Sequence, residues 1–523
     1  MTDVIVIGAG HNGLICAAYL AKAGLDTMLI EARETVGGCA STVSELGVRF
    51  NICNCDHTMI RAMPVIDELE LASHGLTYLE GNAGTINTYH DGEKPWPFFF
   101  GQEATLEVLA ATYPSQVDGY RRYLADALPV AALTIDMAAT VPSTSSIVRT
   151  ALRSKPKAWA RLVQWSRMSV LDVLGQYFDD WRLVMPAVTT GPTVWGVPPS
   201  VPGTGMAALS YAVRHLVRTG RPAGGSGALT DATASAFTQA GGRIVTGARV
   251  SRILIDDGAA IGVRLDDESE HRARAVVAAC DPKQVMVDWL ETVPPKAQAV
   301  VNRWRGHEPA DGYEAKIDAV LTNPPRYHYV DDLGQWLDAD DAASATNVVS
   351  PTPEQCEQAH RLRADGLVHE RPSMLINVPS VMDPLMRSAK DEHVLSLEVL
   401  FTPFAHPGGW RTSAEPQRWL ELWASTIDDD LDSILVDWRV MTPEHYAEQF
   451  SMQRGHTPSY AGSPLAALLG QPKELTRYVT PVEGLFLCGA ATFPGAGIFG
   501  ASGRNAAAVV GRHLGAATLA STA

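Results

Sequence analysis

The chain opens on Val4-Ile5-Val6-Ile7, an unbroken apolar run with no polar alternation, which predicts a strand buried on both faces. After a glycine-rich break the period changes. Leu14, Ile15, Ala18 and Ala21 or Tyr19 recur at helical spacing as far as Gly24, a stop signal. Thr27-Met28-Leu29-Ile30 then reads as a second strand. Further on, Leu229–Ala240 is amphipathic. Strand-like Arg243–Thr246, Val250–Ile255, Ala259–Leu265 and Ala273–Ala278 follow, separated by Gly and Asp turns. Met374–Val378 and Val394–Phe401 predict strands of a second, mixed sheet. A late strand, Leu485–Cys488, precedes a helix that begins near Gly500.

At 523 residues the chain exceeds the roughly 100–200 of a typical domain, so more than one lobe is expected. No window holds the roughly 18 uninterrupted apolar residues of a spanning helix. A strand starting at Val4 leaves no room for a signal peptide, so the expected location is the cytoplasm or a membrane surface facing it. The net charge of −16 argues against nucleic acid as a partner. The oligomeric state is left open. Cys16, Cys39, Cys53, Cys55, Cys280, Cys356 and Cys488 form no C-x-x-C pair and have no zinc-ligand spacing, so no metal is expected. A thiol relay at Cys53 and Cys55 stands as the alternative to small buried residues in a reducing compartment.

The break after the first strand is Gly8-Ala9-Gly10-His11-Asn12-Gly13, and its context gives it meaning. Gly8 permits the tight turn, Gly10 lets backbone approach a pyrophosphate, and Gly13 allows close helix–strand packing. The helix start offers free N–H groups and roughly half a positive charge to the anion. Glu31 ends the second strand eighteen residues past Gly13, placed to accept from a ribose diol and to repel a 2′-phosphate. An adenine dinucleotide is expected here. The next residues, Ala32 and Arg33 and then Gly37-Gly38, depart from a plain NAD domain, where another helix would follow.

The segment Val4–Ala40 resembles the flavoprotein amine-oxidase and phytoene-desaturase superfamily, in which the double glycine passes close to the FAD ribityl-pyrophosphate. The stretches Val48–His57 and Val65–Leu69 are similar to the phytoene-dehydrogenase-related branch, in particular a carotene-ketolase-like group. Gly224–Leu229, Asp383-Pro384, Leu485–Ala490 and Gly503–Ala506 fit the same pattern. The resemblance implies an α/β fold: a discontinuous Rossmann-type FAD-binding domain over 1–74, 221–289 and 476–523, and an α+β substrate-binding domain with a mixed sheet over 75–220 and 290–475. It implies that Val250 meets adenine through its backbone, and that Gly489 and Ala490 meet the pyrophosphate. The loop through Gly497, Ile498 and Phe499 would then pass the isoalloxazine. Many relatives carry an acidic residue where this chain has Ala490, which puts the local ribityl contact in question.

Gly495–Gly500 also satisfies G-x-G-x-x-G, but it follows Pro494 rather than a strand and no acidic residue comes after Glu483. A second dinucleotide site is therefore not expected. The activity implied is FAD-dependent dehydrogenation of an apolar or partly apolar small molecule, with carotenoid ketolation or isomerisation, or a non-catalytic FAD-bound protein, as alternatives. His57 is the candidate proton-transfer group, with Asp56 as its orienter; a structural histidine is the alternative. From Met137 to Leu171 no Asp or Glu occurs, while basic residues crowd 149–167 with Trp159 and Trp165 among them. That stretch suits peripheral membrane contact or the mouth of a channel for a lipophilic substrate, with a solvated helical face packed by the two tryptophans as the alternative. The run Asp428-Asp429-Asp430 reads as a solvated helix face.

Overall fold

The computed structural model describes residues 2–53, 55–143, 149, 150, 152–457, 459, 460 and 464–516. Asn54 in the 48–57 block, Ala151 in the basic stretch and residues 517–523 of the last FAD-binding segment lie outside the described residues.

Two large sheets organise the α/β chain. The first runs in the order Val250–Asp256, Ala259–Leu265, Glu270–Ala278, Thr2–Ile7, Thr27–Ile30, Arg243–Val245, and Leu485–Leu487 pairs with Glu270–Ala278. Its heart is parallel: Thr2–Ile7 lies between Thr27–Ile30 and Glu270–Ala278, with Val4 opposite both Thr27 and Ala275. Parallel strands need cover on both faces, which is why Val4–Ile7 is apolar without alternation and almost wholly buried. The helix His11–Lys22 packs against the helices Gly227–Gln239 and Ala501–Leu514. Cover by two helices and the sheet explains why residues 12–21 are all buried although the helix is only twelve residues long.

The second sheet is mixed and runs in the order Leu435–Met441, Glu314–Leu321, His393–Leu400, Met374–Asn377, Thr346–Ser350, Thr85–Tyr89, Trp96–Phe98. Only the Thr346–Ser350 and Thr85–Tyr89 pair in it is parallel. Its central strands are buried along their whole length, polar residues included. Lys316, Asp318 and Arg439 form a buried ionic cluster there, and Lys316 Nζ donates to the Asn51 carbonyl at 2.9 Å, tying this sheet to the hairpin Thr42–Asn51. A separate aromatic cluster, with Tyr120, Tyr123, Trp165 and Tyr211 among its members, joins helices Val117–Ala138, Pro156–Trp165 and Ser210–Leu216. The Asp428–Asp430 run is a loop rather than a helix face. Asp429 accepts from the Arg326 amide at 2.7 Å and Asp428 pairs with Arg326 and His328.

Candidate functional site

All five parallel strands of the first sheet end at one cleft with about 1280 Å³ of empty space. Ile7-Gly8, Ile30-Glu31, Ala279-Cys280 and Gly489-Ala490 line it, each just past the carboxyl end of a strand, as does Ala248 after Arg243–Val245. A ligand site is expected at such a place in an open α/β sheet. Gly10, His11, Asn12, Gly13, Ala32, Arg33, Gly38 and Val250 complete the part of the lining that the sequence anticipates.

The glycine turn divides its tasks as its chemistry requires. Gly8 has φ +96°, and a Cβ on Gly13 would stand 2.0 Å from the Gly8 carbonyl oxygen. Around Gly10 a Cβ would meet nothing within 4 Å, so this position faces the open cleft. Gly10 is also the N-cap of helix His11–Lys22 and supplies no side-chain cap. The first-turn N–H groups are therefore left for an anion. Asn12 Oδ1 is buried with no hydrogen-bond partner among the described residues. An open cradle, a helix start and an orphaned buried acceptor together fit a dinucleotide with polyol and phosphate groups.

Glu31 is fixed by two amides: Ala9 N–H donates to Oε2 at 2.7 Å and Arg33 N–H to Oε1 at 2.9 Å. Gly37 does not line the cleft; its amide donates to the Ala9 carbonyl at 2.8 Å and it bridges Gly10, so it shapes the glycine turn from behind. Arg33 stacks on Phe450, 4.4 Å from the ring centroid. Phe450, Met452 and Thr457, with Arg249 and Trp289, also line the cleft, and none of them is marked in the sequence. They sit outside any motif and arrive by tertiary packing. The only local signal is Arg249, a cation one residue before Val250.

The His11 ring bonds the Gly497 backbone, and burial pushes its pKa down to about 4 against that bond, so it is neutral at physiological pH. This contact joins the first and last glycine-rich loops. On the other side of Gly497, Trp195 stands 3.7 Å from where a Cβ would be. Trp195 and Phe499 line a second cavity of about 1150 Å³, walled mainly by Met59, Met137, Met206, Leu209, Val213 and Phe493. Gly497–Phe499 thus stands between the cofactor cleft and an apolar cavity. Ile498 lines neither; it packs into the core around helix His11–Lys22. No strand precedes Gly495, and the next helix starts only at Ala501.

His57 and Asp56 do not form the expected acid–base pair. His57 is fully buried, its Nδ1 3.1 Å from the Tyr78 hydroxyl and its Nε2 3.1 Å from Ser226 Oγ, so neither nitrogen is available. Burial pushes its pKa down to about 3, with His11 acting in the same direction and Asp56 against it. Asp56 turns away: Arg221 Nε donates to Oδ1 at 2.6 Å and the Thr346 hydroxyl to Oδ2 at 2.5 Å. Burial opposes the charge, but Arg221 and Thr346 hold Asp56 below the usual carboxylate range. Neither residue lines the apolar cavity. Their hydrogen bonds join separate segments of the chain. With Asn51, which accepts from the Ser226 amide at 2.8 Å, His57 fixes the Gly224–Gly227 turn at the head of helix Gly227–Gln239. Gly224 is held from the other side by Asp383, whose Oδ2 accepts its amide at 2.6 Å.

The basic stretch is partly committed as well. Lys157 and Arg161 pair with Asp126 at 2.5 and 2.7 Å, and Trp165 is fully buried. Arg149, Arg153 and Lys155 remain exposed around Leu152, which is 83% exposed. Among the described residues no helix is long and apolar enough to cross a membrane, and no group of three or more His, Cys, Asp or Glu is placed to hold a metal ion.

Residues 13–307 match the family model described as flavin containing amine oxidoreductase. Pyridine nucleotide-disulfide oxidoreductase domain-containing protein 2 of Rattus norvegicus is 27% identical, over 98% of this chain and 94% of that protein. The lycopene-forming phytoene desaturase of Pseudescherichia vulneris is 25% identical, over 96% of each chain. Among solved structures, cyclohexylamine oxidase from Brevibacterium oxydans superposes with a TM-score of 0.59 at 16% identity, covering 98% of this chain and 99% of that one. That likeness speaks to the fold alone. With a glycine cradle at the ends of the parallel strands and the family match spanning more than half its length, the chain belongs to the flavin-containing amine oxidoreductase family and is an FAD-dependent oxidoreductase.

Proposed function

We propose that the chain dehydrogenates an apolar or partly apolar organic substrate held in the cavity beside Phe499. FAD held by Gly8–Gly13, Glu31 and Gly489 would supply the electron-accepting chemistry, taking a hydride from a substrate carbon while the neighbouring carbon loses a proton and a double bond remains. Oxygen, leaving as hydrogen peroxide, or a quinone-like acceptor would take the electron pair.

The observation that carries this reading is the apolar cavity ending on Phe499, two residues from the Gly497 backbone that His11 holds. Its methionines and aromatics exclude water and orient a hydrophobic body. Among the described lining residues there is no carboxylate, imidazole or lysine. No side chain is therefore assigned the proton, and the protein's contribution is orientation and a dry site. An ammonium substrate fits poorly, because the one charged lining residue is the cation Arg214. Phytoene, the substrate in the name of the bacterial relative, is of the apolar kind.

The test is incubation of the holoprotein with a lipid extract, followed by mass spectrometry. Compounds lighter by two hydrogen atoms should accumulate with the parent protein. They should not with Val213→Trp, which fills the cavity without touching the cofactor cleft. Equal product from both proteins, or none from the parent, contradicts the reading.

A further inference from the structure

Arg214 lies on helix Ser210–Leu216 and lines the apolar cavity together with Ser210, one turn earlier on the same face. Its side chain makes two hydrogen bonds among the described residues, both from Nη1 and both long: 3.4 Å to Thr190 Oγ1 and 3.5 Å to the Ser210 carbonyl. Each is beyond the usual N–H···O range. Arg214 is part-exposed, and among the described residues Nε and Nη2 have no protein acceptor and no carboxylate lies within ion-pair distance. Asp56, whose charge acts on Arg214 from a distance, is already taken by Arg221 and Thr346. Burial pushes the Arg214 pKa down, as expected for a guanidinium with no counter-charge beside it. Beside it, Ser210 Oγ is buried with no hydrogen-bond partner.

A guanidinium with only two long hydrogen bonds and no counter-charge stands beside a buried hydroxyl with no partner, in a cavity whose other polar lining among the described residues is Thr58, Thr134 and Thr190, and an occupant that accepts from both would satisfy them. The complement is a planar monoanion able to take two donors from the guanidinium and one from the hydroxyl. We propose that the substrate carries a carboxylate that pairs with Arg214 and accepts from Ser210, with its apolar chain lying along the wall towards Phe499. This rests on the cavity being the substrate site. It narrows the substrate class from neutral lipophiles to apolar acids, and it makes Arg214 a specificity residue rather than a participant in hydride transfer.

The test titrates holoprotein with dodecanoate, methyl dodecanoate and dodecanol, following perturbation of the visible flavin spectrum and confirming by calorimetry. The acid should bind about 10- to 100-fold more tightly than the ester, the range of a charge-assisted hydrogen-bonded pair. Arg214→Met should bring the acid down to the ester and leave the ester unchanged. Without ligand it should melt no lower than the parent, because it removes an uncompensated charge. Ser210→Ala should weaken the acid alone, and it covers the case in which Arg214→Met fails to fold. Equal binding of acid and ester by the parent, or an undiminished preference in Arg214→Met, overturns the carboxylate assignment while leaving the apolar cavity as the substrate site. Failure of all three probes to bind overturns both.

Discussion

Gly13 packs against Gly8 so closely that a single added methyl carbon would stand 2.0 Å from the Gly8 carbonyl oxygen, whereas the same carbon on Gly10 meets nothing within 4 Å. Two glycines of one turn therefore have opposite tasks. Gly13→Ala should damage the fold, since the neighbouring atoms are backbone and have nowhere to go. Gly10→Val should fold, because Gly10 has φ −65° and an extended ψ that any residue adopts, yet retain no FAD. Circular dichroism and the flavin-to-protein absorbance ratio after gel filtration separate the two outcomes. Full flavin content in Gly10→Val would mean that the pyrophosphate lies elsewhere.

The commitment of His57 to Tyr78 and Ser226 makes it a pH-sensitive element of stability. Its folded pKa of about 3 lies below that of an exposed histidine. As pH falls from about 6.5 towards 3, the unfolded chain takes up a proton that the folded chain refuses. Stability should drop through that window by up to about 1.4 kcal/mol per pH unit. His57→Gln should lose about 1–3 kcal/mol at neutral pH by leaving one buried partner unmet, and should flatten this slope. Urea unfolding between about pH 5 and 7 measures it. A large loss of turnover per bound flavin, with stability unchanged, would restore His57 to the chemistry.

Of the basic stretch, Lys157 and Arg161 are held by Asp126 and Arg167 is exposed further along, so the proposed membrane contact is tested at Arg149, Arg153 and Lys155 around exposed Leu152. A lipophilic substrate would be drawn from such a surface. Each cation near an anionic membrane contributes about 1 kcal/mol, so replacing these three with Gln should weaken binding to phosphatidylserine vesicles about 100-fold. Unchanged cosedimentation would remove the membrane from the account.

What the sequence makes legible is what short-range chemistry dictates. Strands such as Val4–Ile7 and Leu485–Leu487 announce themselves because burial on both faces demands unbroken apolar runs. The glycine cradle is legible because only glycine can pass so close to its own backbone. The long-range partners are not. Arg504 grips Glu68 through two bonds of 2.7 and 2.8 Å across 436 positions, and Asp383 reaches Gly224 across 159. Both pairs join blocks that are recognisable separately, with nothing in either to say that they touch. Phe450 and Met452 close the cofactor cleft from a helix end more than 400 residues away from the glycine turn, and no periodicity encodes that. Asp56 and His57 are adjacent in sequence, which suggests a pair, but their side chains serve different neighbours.

The central claim is that substrate entering the cavity at Phe499 reduces the flavin, and that no nicotinamide nucleotide does. Among the described residues one glycine turn follows a parallel strand and opens a helix with an acid at the end of the next strand, and that site is assigned to FAD. Anaerobic stopped-flow of the holoprotein decides it, with NADH, NADPH and a lipophilic acid fraction mixed separately and the visible flavin absorption followed. The lipophilic fraction should bleach the flavin within a turnover, and both nucleotides should leave it oxidised at millimolar concentration. Rapid bleaching by NADH or NADPH, with none by the lipophilic fraction, would contradict the account and make the protein a reductase.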